Sequence, residues 1–115
     1  MAQKTPRGIY KNKMKLYIDT SEREKIVVGL GEKRFEADSK KEKSQMLLLF
    51  IDEILKKEKV KINEISEIEV KRGPGSFTGL RVGLSVANTM GWALGIKVNG
   101  QDVKKQGPVL PIYEK

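Results

Sequence analysis

Three short segments near the start of the chain have the residue pattern of strands, and polar and hydrophobic residues alternate along the third. The first, Met14 to Asp19, ends on an acidic residue, the second, Lys25 to Gly31, is β-branched and apolar, and the third runs from Lys33 to Asp38. A period of two is typical of a strand that buries one face. Because the connections are short, the pattern predicts an antiparallel meander of three strands.

A dense apolar stretch follows and indicates a helix rather than a strand. Hydrophobic side chains crowd residues 46–55, and the pattern predicts a first helix that ends near Lys59, with Ser39 or Ser44 as its N-cap. A helix that covers a sheet needs an apolar stripe only about 100° wide. The apolar side chains that lie outside such a stripe must be buried elsewhere, either against a second helix of the domain or in a protein–protein surface.

The remaining elements complete an α/β pattern. The pattern predicts a fourth strand over residues 67–71. It predicts a second helix over residues 77–94, with Ser76 as its N-cap and Gly95 at its end. A fifth strand is predicted over residues 96–98. Right-handed crossovers then place the fourth strand parallel to the first and the fifth beside it. This is the element order of a ribonuclease H-like domain, a five-stranded mixed sheet with two main helices.

Three segments are predicted along the chain. Residues 1–13 form a basic, disordered extension, residues 14–100 the ribonuclease H-like domain, and residues 101–115 a linker with a closing extended tail. Residues 102–107 are predicted to be polar linker and residues 108–113 extended.

Composition narrows the available chemistry. The chain has no cysteine and no histidine, so disulfides, thiolate metal sites and Ser-His or Cys-His catalytic pairs are excluded. No run approaches the roughly 18 apolar residues that span a bilayer, which predicts a cytoplasmic protein. The net charge is +8, and half of it lies on the extension, which either binds a polyanion such as tRNA or is merely solvated. These extension cations are Lys4, Arg7, Lys11 and Lys13.

A glycine-rich turn lies between the fourth strand and the second helix. Free backbone N–H groups in such a turn can cradle an anion, but this one fits neither nucleotide template, because Thr78 replaces a third glycine and no Gly-Lys-Ser/Thr follows. The alternative is a tight turn that needs glycine for close packing. The candidate anion or nucleotide residues are Asp19, Thr20, Ser21, Gly73, Gly75 and Ser76.

Two enzymatic interpretations are weak. A two-metal nuclease needs converging carboxylates, and Asp19 with Glu53 could begin such a cluster, but residues 71–72 are basic where an acidic metal ligand is needed.

The Asp19 turn also resembles the first phosphate-binding turn of sugar kinases, yet residues 22–23 lack the glycine that lets the phosphates approach the backbone. Such proteins bind nucleotide between two lobes, and one lobe is present here.

Small residues recur every four positions along the second helix, at Gly79, Gly83, Ala87 and Gly91. Each glycine inside a helix costs ~1 kcal/mol relative to alanine, so three glycines in one stripe indicate a structural requirement for small residues. The close approach of a neighbouring backbone is such a requirement. The neighbour is either the first helix or the helix of a partner.

The segment from Arg72 to Gly83 resembles the signature of the bacterial TsaB (YeaZ) family. The Asp19-Thr20-Ser21 strand end, the leucine-rich helix after Ser44, and residues 93–96 support the resemblance, which covers residues 14–100. It implies one lobe of the actin/Hsp70/sugar-kinase superfamily. Family members are typically twice as long, so the resemblance also implies a reduced-length member, whose second lobe is either naturally missing or trimmed.

The resemblance implies a non-catalytic subunit without a cofactor. It implies a heterodimer with the catalytic TsaD subunit, and a homodimer when alone, in an assembly that includes the ATPase TsaE and makes N6-threonylcarbamoyladenosine on tRNA. The alternative is a stand-alone nucleotide-binding or hydrolytic domain. The implied docking residues are Met46, Leu47, Phe50, Ile54, Gly79, Val82, Gly83, Val86, Ala87, Met90 and Gly91.

Overall fold

A five-stranded sheet organises the part of the chain, residues 14–39 and 42–112, that the computed structural model describes. The strands are β1 (Met14–Asp19), β2 (Lys25–Leu30), β3 (Lys33–Asp38), β4 (Ile65–Val70) and β5 (Lys97–Val98). The helices are α1 (Lys43–Lys57), α2 (Phe77–Leu94) and the short α3 (Val103–Gln106), and a 3-10 turn covers Ile62–Glu64.

The strand order confirms the topology predicted from the sequence. The order across the sheet is β3-β2-β1-β4-β5, with antiparallel pairs in the meander and parallel pairs from β1 to β4 and from β4 to β5. Parallel neighbours need a crossover connection, which α1 and α2 provide. The carboxyl ends of β1 and β4 and the amino ends of both helices therefore lie at the same edge of the sheet.

The two faces of the sheet differ in chemistry. Leu16 and Ile18 of β1 are fully buried in the core that the sheet forms with α1 and α2. The intervening residues point to the other face, where Lys15 pairs with Glu69 at 3.0 Å and the Arg34 guanidinium lies 4.5 Å from the Tyr17 ring centre. This division follows from the period-two alternation of the strands.

Helix α1 begins differently from the prediction. Its N-cap is Glu42, in a left-handed conformation (φ 49°), and its side chain makes no capping hydrogen bond. Neither Ser39 nor Ser44 is the cap, because Ser39 precedes the first turn by too many residues and Ser44 already lies inside it. The helix ends at Lys57 rather than near Lys59, since Glu58 is the C-cap.

Both ends of α2 agree with the prediction. The Ser76 hydroxyl accepts a hydrogen bond from the Gly79 N–H at 3.2 Å, and Gly95 ends the helix with φ 70°, a conformation that glycine adopts without strain.

The prediction of a polar linker over residues 102–107 is wrong in its local structure. Asp102 caps a helical turn, α3, by accepting hydrogen bonds from the N–H groups of Lys104 and Lys105. Val103 is buried against α2, and this apolar contact holds the turn to the domain. The division of the chain into three segments stays a prediction. The basic extension, with its proposed contact to tRNA, lies outside the described residues.

Within the described ranges, none of the helices combines the length and the apolar character needed to cross a membrane.

The small-residue stripe of α2 faces the sheet. A Cβ on Gly83 would lie 2.5 Å from Thr20 Oγ1 and 3.3 Å from Ile18 Cγ2, and one on Gly91 would lie 3.1 Å from the Ile96 carbonyl oxygen. Ala87 is fully buried. The structure therefore corrects both sequence alternatives, because the close neighbour is neither α1 nor a partner's helix but the chain's own sheet.

We expect Gly83→Ala to lower the free energy of unfolding by about 1–3 kcal/mol, because the added methyl group overpacks the contact with Thr20. Helix propensity alone would act in the opposite direction and stabilise by up to ~1 kcal/mol. Urea unfolding followed by circular dichroism decides the sign. Ser85→Ala, at an exposed position of the same helix, is the control and should be neutral or stabilising. A stabilised Gly83→Ala variant would contradict the packing described above.

Candidate functional site

Most of the docking positions predicted from the sequence lie inside the domain. Met46 is exposed, whereas Phe50, Val82 and Met90 are only partly exposed and pack against the core. The others are buried and cannot touch a partner in this arrangement. They are Leu47, Ile54, Gly79, Gly83, Val86, Ala87 and Gly91.

Two exposed leucines of α1 were not among the docking residues predicted from the sequence. Leu48 is 52% exposed and Leu49 is 59% exposed, more than any predicted docking residue. The signal was present in the sequence, because a core phase set by Leu47, Ile51 and Ile54 turns the next residues outward at 100° per position. Met46, Leu48 and Leu49 together are called the α1 patch.

Two exposed aromatic residues lie near the ends of α2. Phe77 is 54% exposed and has the Arg81 guanidinium 5.3 Å from its ring centre, while Trp92 is 60% exposed with the Lys104 ammonium at 5.0 Å. Cations over aromatic rings contribute little at exposed positions. These contacts leave much of each ring accessible.

Asp19, the candidate ligand at the end of β1, is used within its own turn. Its Oδ1 accepts hydrogen bonds from the Ser21 N–H at 2.9 Å and the Ser21 hydroxyl at 2.6 Å, and the Tyr17 hydroxyl donates to Oδ2 at 3.4 Å. Burial raises the pKa of Tyr17, and the Asp19 carboxylate raises it further. The carboxylate therefore stabilises the β1–β2 turn, as an Asx turn does.

Thr20 joins β1 to the interior of α2. Its hydroxyl donates to the Gly79 carbonyl at 2.5 Å and accepts from the Gly83 N–H at 3.0 Å, and the residue is 1% exposed. These two backbone groups face each other across one helical turn, so the hydroxyl bridges a donor and an acceptor of the helix ladder. Only a residue without Cβ at position 83 leaves room for the oxygen.

The glycine-rich turn packs against the same segment. The Ser76 N–H donates to the Ser21 carbonyl at 2.7 Å, and a Cβ on Gly75 would lie 2.8 Å from that oxygen. The Gly73–Pro74 peptide bond is cis. Because the N–H groups of Ser21, Ser76 and Gly79 all have protein acceptors, the turn does not present them as a cradle for an anion. Its glycines allow close backbone approach, which was the structural alternative.

The carboxylate cluster of a two-metal nuclease is not assembled. Among the residues that the structure describes, no group of three or more acidic side chains converges. Beyond β4, the Lys71 N–H donates to the Ile18 carbonyl and Arg72 Nε donates to the Leu110 carbonyl at 2.8 Å. Arg72 thus holds the closing segment to the end of β4, while Lys71 continues the pairing of β4 with β1.

The fold defines the class of protein: a ribonuclease H-like single lobe of the actin/Hsp70/sugar-kinase superfamily. The solved structure described as YeaZ from Pseudomonas aeruginosa superimposes with a TM-score of 0.66 at 27% identity, covering 74% of this chain and 41% of that one. Among curated relatives, the tRNA threonylcarbamoyladenosine biosynthesis protein TsaB of Buchnera aphidicola (strain Bp) is 50% identical over 52 residues, which are 45% of this chain and 23% of the relative.

A family model described as "TsaD: tRNA N6-adenosine threonylcarbamoyltransferase" matches residues 37–100. The TsaB protein of Haemophilus influenzae is 36% identical over 69 residues, 60% of this chain and 25% of the relative. The chain belongs to the family of this model and, within it, to the TsaB (YeaZ) members. It spans less than half the length of these relatives.

We expect Thr20→Val to destabilise the domain by about 1–3 kcal/mol, because it leaves the buried Gly83 N–H without the hydroxyl acceptor while preserving side-chain volume. Thr20→Ser keeps the hydroxyl and serves as the matched control, with a smaller loss from the missing methyl group. Thermal or urea unfolding gives the comparison. Equal stabilities of the Val variant and the wild type would show that the bridge contributes nothing.

Proposed function

We propose that this chain is a non-catalytic, cytoplasmic partner subunit that binds and activates a TsaD-like catalytic subunit in the synthesis of N6-threonylcarbamoyladenosine on tRNA. The names of its relatives, tRNA threonylcarbamoyladenosine biosynthesis proteins, support the pathway. The observation that carries the partner role is the α1 patch, because three exposed apolar side chains lie within two turns of one helix. Exposed clusters of this kind mark association surfaces.

The position of the patch favours a TsaD-like partner. The match to the TsaD family model includes α1, β4 and α2, so a catalytic subunit of that family would carry a similar helix pair. Two similar helix layers can pair around an approximate two-fold axis, each presenting the same surface to the other. The same geometry permits a homodimer when the partner is absent. Contacts with a TsaE-like ATPase and with tRNA belong to the same proposal.

The proposal assigns no catalytic residue to this chain. Both oxygens of Asp19 already accept protein hydrogen bonds, and the residues that follow β4 are basic. The competing function is a stand-alone nucleotide-binding or hydrolytic domain. It would have to free the Asp19 carboxylate from its turn.

We expect Leu49→Glu to weaken association with the cognate TsaD-like protein by at least about tenfold, because a charge placed in an apolar contact must be desolvated without a partner. Ile62→Glu is the control, since Ile62 is an exposed apolar residue (48%) on the 3-10 turn, outside the α1 patch. Calorimetric titration measures both affinities, and circular dichroism checks that both variants are folded. Equal affinities for the two variants would remove the α1 patch from the interface.

We also expect the purified chain to show no ATP hydrolysis above that of Asp19→Asn. The reason is that the only acidic residue at the end of β1 is committed to its own turn. A phosphate-release assay measures both proteins. Turnover by the wild type that Asp19→Asn abolishes in a folded protein would support the stand-alone enzyme instead.

A further inference from the structure

A polar cavity of about 420 Å³ lies between the amino-terminal ends of α1 and α2. Its lining includes Arg23 from the β1–β2 turn, Ser39 from the end of β3, Lys43 and Ser44 from the first turn of α1, and Thr78 from α2. Nothing in the proposed partner role uses these residues. The cavity borders the end of the glycine-rich turn, because Ser76 and Gly79 also line it, and the N–H groups of these two residues donate to protein oxygens.

Ser39 gives the strongest indication of a ligand. The residue is 4% exposed, and its Oγ has no hydrogen-bond partner among residues 14–39 and 42–112. Its backbone is held in place, because its N–H donates to the Glu24 carbonyl at 2.9 Å. A buried hydroxyl without a partner costs free energy, and such groups in native proteins usually mark a missing partner. Rotation about one bond lets a serine hydroxyl serve an acceptor in the cavity.

The start of α1 supplies further donors. The Glu42 side chain makes no capping hydrogen bond, and the first turn of this 15-residue helix contains no acidic residue. The first N–H groups of a helix have no acceptor within the helix and carry a partial positive charge. An anion is the complement that such an end prefers.

The charges around the cavity are mixed but include two cations at its wall. The Lys43 ammonium donates to the Glu22 carbonyl and, at 3.0 Å, to the Arg23 carbonyl. Burial lowers the pKa of Lys43, while the carboxylates of Asp19 and Glu22 act in the opposite direction. Glu42 lies at the exposed rim and would repel an anion.

We propose that this cavity binds a phosphate group, either inorganic phosphate or the phosphate of a monoester. The Ser39 hydroxyl and the first N–H groups of α1 donate to its oxygens, Ser44 and Thr78 offer hydroxyls, and Arg23 supplies countercharge. The site is open in the single lobe and requires neither the partner subunit nor the α1 patch.

The test is a titration of the ¹⁵N-labelled full chain with inorganic phosphate at constant ionic strength. We expect saturable shifts at the amides of Ser39, Lys43 and Ser44, and none with chloride alone. A parallel titration with glycerol phosphate separates the two sources: equal or tighter binding of the ester indicates a monoester ligand, and binding of inorganic phosphate alone indicates the free anion. Shifts that do not saturate, or that fall only on residues 73–79, would overturn the proposal.

Variants separate binding from folding. Ser39→Ala should weaken phosphate binding at least about tenfold, because a hydrogen bond to a charged group is lost. In phosphate-free buffer the same variant should be at least as stable as the wild type, since the hydroxyl it removes has no partner there. Ser85→Ala is the control and should bind normally. Glu42→Gln should bind more tightly, because it removes the rim charge. Unchanged affinity of Ser39→Ala would exclude the site.

Discussion

The hydroxyl of Thr20 is the contact on which the rest of the lobe depends. It joins the end of the central strand to two backbone groups of α2, at 2.5 Å and 3.0 Å, in a fully buried position. A hydrogen bond in a low-dielectric interior is strong, and leaving either backbone group unpaired there is costly. The bridge therefore fixes how far α2 lies from the sheet and which of its faces points inward.

The glycines of α2 and of the preceding turn are consequences of this distance. Gly83 leaves room for the hydroxyl oxygen of Thr20, and Gly75 leaves room for the carbonyl oxygen of Ser21. A helix drawn so close to a strand has no space for side chains along the contact. The cost of glycine in the helix is offset by the hydrogen bonds and packing that the close approach allows.

The same contact decides which surfaces remain for function. At the glycine-rich turn, the Ser76 N–H is used to connect the turn to the β1–β2 turn, and the Gly79 N–H is used to cap α2. With the small-residue stripe turned inward, the exposed large apolar residues of the two long helices are those on the outer side of α1 and near the ends of α2. The proposed association therefore uses side chains such as Leu49 rather than the glycines of α2, and the proposed phosphate site is the cavity that Ser39 lines.

The sequence by itself determined the order of the five strands and the two long helices, the Ser76 cap and the Gly95 end of α2, because strand patterns and helix capping are local properties. It also determined family membership through the segment from Arg72 to Gly83. Only the tertiary structure decided what the stripe of small residues touches. The reason is that a bare helix face fits a strand, a neighbouring helix or a partner equally well, and the choice depends on a residue 63 positions away, Thr20, that accepts from Gly83.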